Sequence, residues 1–244
     1  MAKRVVPDAA RRRRRPTRQG QVLTHELIVE TALRMLREHG AAGLTARRLG
    51  LALGADASAI YRYFRGMDDL TLAIADELLA NALADWRPTG HWRTDLRALG
   101  LSVHAAYLAH PQAAVLTASR VTGRPHEVAV DETILAILRT AGFPDHDAVR
   151  IYHAFIDQSL AFAVLDAASM ALPTATRQAD EQVWQATYAR LPASSHPHIA
   201  ATAGHLVGRM NDSAYPTALD MLLDSARAQL ADLRVRDGSG SPRG

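Results

Sequence analysis

The chain has 244 residues, no cysteine, and 28 basic against 25 acidic side chains. Without cysteine there is no disulfide framework, no thiolate nucleophile and no Cys-ligated zinc, and a chain of this length is too long for one small recognition module. Residues 1–20 carry eight basic side chains, Arg11 to Arg15 among them, against Asp8, a net +7; the remainder carries 20 basic against 24 acidic residues, a net −4.

The basic block is followed by Gln19, Gly20, Gln21, His25 and Glu26 rather than an apolar run, so it is not an export signal. It reads as a disordered arm whose arginines add non-specific affinity for phosphate, or as a solvated tail without a role. From Thr24 to His39 the apolar residues Leu27, Ile28, Ala32, Met35 and Leu36 recur at helical spacing, and Gly40 stands where a C-terminal cap belongs. The stretch Leu44 to Leu70 predicts two short helices about a tight turn. Thr45 caps the first, whose inward positions are Ala46, Leu49 and Leu53, Gly54 makes the turn, and Asp56 caps the second. At about 100° per residue, Ala57, Ile60 and Phe64 share one side of the second helix and Ser58, Tyr61, Arg62 and Arg65 the other. Hydroxyls and guanidinium groups on such a face suit phosphate oxygens and guanine edges, although a solvated surface helix has the same composition.

A fourth helix is predicted over about 67–85, with Leu70, Ile74 and Leu78 as its buried stripe and Asp68 and Asp69 favouring its N-terminus. Beyond Pro88, helices are predicted at about 94–109, 112–120, 127–141, 145–171, 178–190, 197–210 and 216–234, separated by Pro and Gly. No segment alternates as a strand does, so the fold class is all-α. No apolar run approaches 18 residues, and Asp166 interrupts the most apolar one, Ser159 to Leu172; no membrane span is expected. The predicted organisation is a disordered basic arm at 1–20, a helix-turn-helix domain at 21–66, a helical body at 67–236 and a disordered tail at 237–244.

Thr45, Leu49, Gly54, Ile60, Tyr61, Phe64, Asp68, Asp69 and Leu70 together resemble the N-terminal DNA-binding signature of TetR-family transcriptional regulators. The stretches His91 to Arg97, Ala109-His110-Pro111, Leu135 to Pro144 and Pro197 to Leu230 are similar to the C-terminal ligand-binding and dimerisation domain of tetracycline-repressor-like members. The chain departs from the pattern at Gly50, where the family usually has Ala, at Gly54-Ala55 in place of Gly-Val, and at Met67, where a phosphate-touching Lys is common. The candidate DNA contacts are Thr45, Arg47, Ser58, Tyr61, Arg62, Tyr63 and Arg65. The resemblance implies repression and a four-helix dimer interface; the predicted interface residues are Phe155, Leu219, Leu222, Leu223, Ala226 and Leu230.

The eleven histidines are dispersed and lack a carboxylate cluster, so no metal or cofactor is expected. HExxH, GxSxG, P-loop and dinucleotide motifs are absent, and catalysis is not expected. Trp92, His104, Tyr107, Phe155, Phe162 and Trp184, with Arg120 and Gln158 as polar anchors, are candidates for a small-molecule pocket, because they combine apolar bodies with polar tips. The function that follows is a cytoplasmic, ligand-responsive, homodimeric repressor of a palindromic DNA operator. A helical small-molecule-binding protein with little or no DNA binding is the alternative, motivated by Met67 and the alanine-rich second helix.

Overall fold

The computed structural model describes residues 22–209 and 212–239, with side chains described as far as Arg236. The predicted arm at 1–20 and residues 240–244 of the predicted tail lie outside them. No β-strand occurs among the described residues, and the fold is all-α. Two compact units divide between Ile74 and Ala75, inside the fourth helix rather than at its start.

The N-terminal unit begins with α1, His25–His39. Thr24 opens it by accepting the Leu27 amide on its Oγ1 at 3.1 Å, and Gly40 closes it at φ +66° with its amide on the Leu36 carbonyl at 2.9 Å. After a 3-10 turn at Ala41–Gly43 come α2, Ala46–Ala52, α3, Ala57–Ile60, and the first half of α4, Met67–Ala84. Ile28, Leu36, Leu49, Ile60, Phe64 and Leu70 are each exposed by 1% or less. Burying such a side chain contributes about 1.5–3 kcal/mol, which is what holds so small a unit together.

The body comprises the rest of α4 with α5, Trp92–Leu108, α6, Pro111–Thr117, α7, Pro125–Ala141, α8, Asp145–Ala171, α9, Thr174–Ala186, α10, Pro197–Gly208, and α11, Tyr215–Ser239. Proline starts α6, α7 and α10, where its fixed φ costs nothing, and Gly142 closes α7 at φ +104°. The predicted helix at 112–120 ends earlier, at Thr117, whose hydroxyl donates to the Ala113 carbonyl at 2.7 Å. The predicted helix at 178–190 is α9, shifted towards Pro173 and followed by a 3-10 turn at Tyr188–Arg190. α11 runs past the predicted end at 234 to Ser239, three residues into the segment read as a disordered tail.

α8 is the central helix, packing against α5, α6, α7 and α11 and burying Ile151, Phe155, Ser159, Ala163 and Ala167. Contrary to the sequence expectation, it is long and apolar enough by composition to cross a membrane. Core helices of bundles meet the same criterion; this one packs against four helices of its own chain, while only 22% of its most apolar window is buried there. α9 and α10 bury no residue at all and pack mainly against the 3-10 turn between them.

Candidate nucleic-acid interface and effector cavity

The turn between α2 and α3 is built by glycine. Gly54 takes φ +61°, and the Ala55 amide returns to the Gly50 carbonyl at 2.9 Å. A Cβ at Gly50 would sit 2.8 Å from the Ala55 carbonyl oxygen and 3.0 Å from the Ala57 amide, so the departure from alanine there lets α2 lie against the start of α3. Asp56 occupies the N-cap position of α3 without a capping side-chain hydrogen bond, so its predicted capping is positional only.

α3 is shorter than the sequence pattern predicts, ending at Ile60, but the chain keeps turning: the amides of Arg62, Tyr63 and Phe64 reach the carbonyls of Ala59, Ile60 and Ile60 at 3.3, 2.9 and 3.0 Å. The predicted division of faces therefore survives except at Ala57, which is half-buried. Ile60 and Phe64 are buried, while Ser58, Tyr61, Arg62 and Arg65 are exposed, Tyr61 by 52%. Thr45 and Arg47 are exposed at the start of α2, with the Thr45 hydroxyl accepting the Arg48 amide at 3.3 Å. Tyr63 differs from the rest. It is half-buried and donates its hydroxyl to the Leu23 carbonyl at 2.5 Å, fastening the segment ahead of α1 to the turn after α3. The Arg65 amide is held by Asp69 Oδ2 at 2.9 Å, and Met67 is half-buried.

In the body, α5 is entered through Asp95. Its buried carboxylate accepts the Thr89 amide and hydroxyl at 2.8 and 2.6 Å and the Gly90 amide at 3.0 Å. Burial raises its pKa, but the bonds from Thr89 and Gly90 outweigh it and hold the group below the ordinary value. On α4, Asp76 anchors the start of α7. Its Oδ1 accepts the His126 and Glu127 amides, each at 3.0 Å, and its Oδ2 lies 2.9 Å from His126 Nδ1.

A cavity of about 760 Å³ opens beside the C-terminal end of α8, lined by Leu108, Asp166, Met170 and Leu172, by Arg177, Asp180, Glu181 and Trp184 of α9, and by Asp212 and Ser213. Of the eight sequence-predicted pocket residues only Trp184 lines it, stacked on Tyr188 at 4.2 Å. His104 stands one residue behind the wall, its Nε2 2.8 Å from Asp166 Oδ2 and its ring stacked on Tyr215 at 4.6 Å. Tyr107 and Phe155 are core: burial, aided by Glu127, pushes the Tyr107 phenol up to about 12, and Phe155 is wholly buried. Trp92 meets Phe143 edge-on, Phe162 leans on Tyr215, Arg120 is half-buried, and the Gln158 Oε1 is buried without a hydrogen-bond partner. The acidic lining was missed, although Arg177, Asp180, Glu181 and Trp184 stand at i, i+3, i+4 and i+7, the spacing of one helix face.

The predicted dimer contacts need a correction as well. Phe155, Leu219, Leu223, Ala226 and Leu230 are core residues of the single chain, each exposed by 4% or less, and Leu222 is half-buried. The bare face of α11 is Thr217, Met221, Ser225, Ala228 and Val235, and that of α8 is Ala154, Ala161, Leu165 and Ala168. Among the described residues there is no group of three or more His, Asp or Glu that could hold a metal ion.

A helix-turn-helix with an exposed Arg, Tyr and Ser face, followed by a helical body that holds a drug-sized cavity, defines a DNA-binding regulator with an effector domain. Residues 28–74 match the family profile of bacterial regulatory proteins, tetR family, and residues 86–230 that of the tetracyclin repressor-like C-terminal domain. The chain belongs to the TetR family and is a ligand-responsive DNA-binding transcriptional regulator, which sets aside the reading without DNA binding. Members of the family are in general non-enzymatic. The chain is 28% identical over 221 residues to an HTH-type transcriptional repressor of Mycobacterium tuberculosis, a match covering 87% of this chain and 84% of that protein. An HTH-type transcriptional regulator of Saccharopolyspora erythraea is 29% identical over 138 residues, 55% of this chain and 58% of that one. The crystal structure of a possible TetR family transcriptional regulator from Streptomyces coelicolor superposes with a TM-score of 0.71 at 29% identity, covering 84% of this chain and 99% of that one.

Proposed function

We propose that the protein is a cytoplasmic, non-membrane repressor that binds a palindromic operator as a homodimer and leaves it when a small molecule occupies the body. The observation that carries this reading is the exposed run Ser58, Tyr61, Arg62 and Arg65 on a turn whose other side buries Ile60 and Phe64. A single such unit reads too few base pairs, and a two-fold pair doubles the contacts. The dimer reading is supported by α8 and α11. Each buries one side in its own chain and leaves the other bare, with Leu165 exposed by 60%, Met221 by 69% and Val235 by 67%. A partner copy on these faces also accounts for the membrane-like composition of α8.

Release requires the spacing of the two reading units to leave about 34 to 36 Å, the separation of successive major grooves. α4 is the lever in this proposal, since it is one unbroken helix from Met67 to Ala84, and Asp76 ties it to the first turn of α7. Lowering operator affinity a hundredfold requires a ligand preference for the released state of about 2.7 kcal/mol.

The test is binding to the promoter nearest the protein's own gene. Arg62→Ala should weaken binding and relax base preference, at about 1–3 kcal/mol if the guanidinium forks onto guanine, and Tyr61→Phe should weaken it more evenly across sequences. Both side chains face away from the core, so melting should not change. Wild-type binding by both variants would overturn the assignment of this face to DNA.

A further inference from the structure

We infer that the cavity beside α8 and α9 is built for a bulky, lipophilic organic cation. The inference rests on the reading above that a small molecule occupies the body; it places that molecule in this cavity and adds its charge and character. About 760 Å³ is the size of a drug-sized site. Beside the neutral polar Ser169, Thr174 and Gln178, the uncharged walls are of two kinds. Leu108, Met170 and Leu172 supply apolar surface, and Trp184, backed by the stacked Tyr188 ring, offers an aromatic surface of the kind that holds a cation by its quadrupole.

The charged lining is four carboxylates, Asp166, Asp180, Glu181 and Asp212, against one cation, Arg177. Residues 21–244 carry a net −4, and the lining of this one site accounts for an excess of three negative charges. That excess already counts the charge of Arg177. Its Nη1 turns to the Met170 carbonyl at 3.4 Å, at the end of α8. Asp166 is engaged by protein, accepting the Ser213 hydroxyl at 2.5 Å beside His104, which leaves Asp180, Glu181 and Asp212 to set the field in the cavity. An anion would meet that field as repulsion. A bare divalent metal ion is no better served, because no group of three or more possible ligands converges among the described residues. Diffuse positive charge on a hydrophobic body satisfies the acidic lining, the aliphatic wall and the indole at once.

Two probes of the same shape and opposite charge test this on the full chain: tetraphenylphosphonium and tetraphenylborate, titrated by calorimetry with Trp fluorescence as a second signal. The phosphonium should bind at least about tenfold more tightly than the borate, and more weakly as salt is raised. It should quench wild-type fluorescence more than that of Trp184→Phe. Asp180→Asn combined with Glu181→Gln should cost about tenfold in phosphonium affinity with the circular dichroism and melting curve unchanged, since Asp180 is exposed and Glu181 only half-buried. Equal or tighter binding of the borate, binding of neither ion at millimolar concentration, or an unchanged phosphonium affinity in the double variant would each overturn the inference. Operator release is read separately. Phosphonium that binds by charge yet leaves the operator bound would support the inference while refuting the cavity as the effector site; operator release by the borate as readily as by the phosphonium would refute the charge preference while sparing that site.

Discussion

Replacing Gly50 by alanine sets two opposed effects against each other. In a helix interior alanine is favoured over glycine by about 1 kcal/mol, so a solvent-facing site would gain stability. Gly50 is buried, however, and its Cβ would stand 2.8 Å from the Ala55 carbonyl oxygen, 3.0 Å from the Ala57 amide nitrogen and 3.3 Å from the Ala57 Cα. All three are backbone atoms of the turn and of α3, and none can be relieved by a rotamer change. Insertion of a methyl group into packing of this kind costs about 1–3 kcal/mol, and the immobile neighbours put this site in the upper part of that range. The net expectation is a loss of about 1–2 kcal/mol in the N-terminal unit. Part of the strain would be relieved by moving α3 away from α2, which displaces Tyr61 and Arg62. The assay is urea unfolding of the full chain by circular dichroism, together with operator affinity by fluorescence anisotropy; Gly50→Ala should unfold at lower urea and bind more weakly even where it is fully folded. A variant as stable as wild type or more so, with unchanged affinity, would show that helix propensity and not close approach governs this position.

On α11, Met221→Glu should give folded, helical monomers by sedimentation, because Met221 is bare in the single chain, whereas Leu223→Glu should unfold the body, a charge at a fully buried site costing more than about 4 kcal/mol. If both variants are folded monomers, the division between the core and bare faces of α11 is wrong. Asp95 gives a pH dependence with a definite sign. Its folded pKa lies below the unfolded value, so its contribution is complete above about pH 4 and is lost as the pH falls through the folded value. Asp95→Asn should therefore be less stable than wild type near neutrality, with the gap closing as the pH drops below 4; a constant gap in urea melts at both pH values would contradict the hydrogen bonds to Thr89 and Gly90.

What the sequence made legible follows from which residues carry local information. Caps and breakers are local: Gly40 placed the end of α1, and α8 begins and ends at the predicted residues. The outward face of the recognition turn was legible because Ile60 and Phe64 share a side, and it persists even though α3 stops at Ile60. Residues whose role depends on a distant partner were not. The pocket set was drawn from aromatic residues, and Tyr107 and Phe155 are core because α5 and α8 pack together. The carboxylates that do line the cavity look like ordinary solvated charge until α9 is set beside α8. The dimer set failed for a related reason: α11 has an apolar face and a bare one, and its strongest apolar positions, Leu219, Leu223 and Leu230, were spent on its own core. Tyr63, a candidate DNA contact, also bonds a carbonyl 40 residues away, a partner that local spacing does not reveal.

The most direct test of the central claim is the stoichiometry and selectivity of operator binding. Fluorescence anisotropy with a labelled palindrome from the protein's own promoter, paired with sedimentation of the complex, should show two chains per palindrome and an affinity at least about a thousandfold above that for scrambled DNA of the same length and composition. Equal affinity for the palindrome and the scrambled duplex, or one chain per palindrome at saturation, would contradict the account.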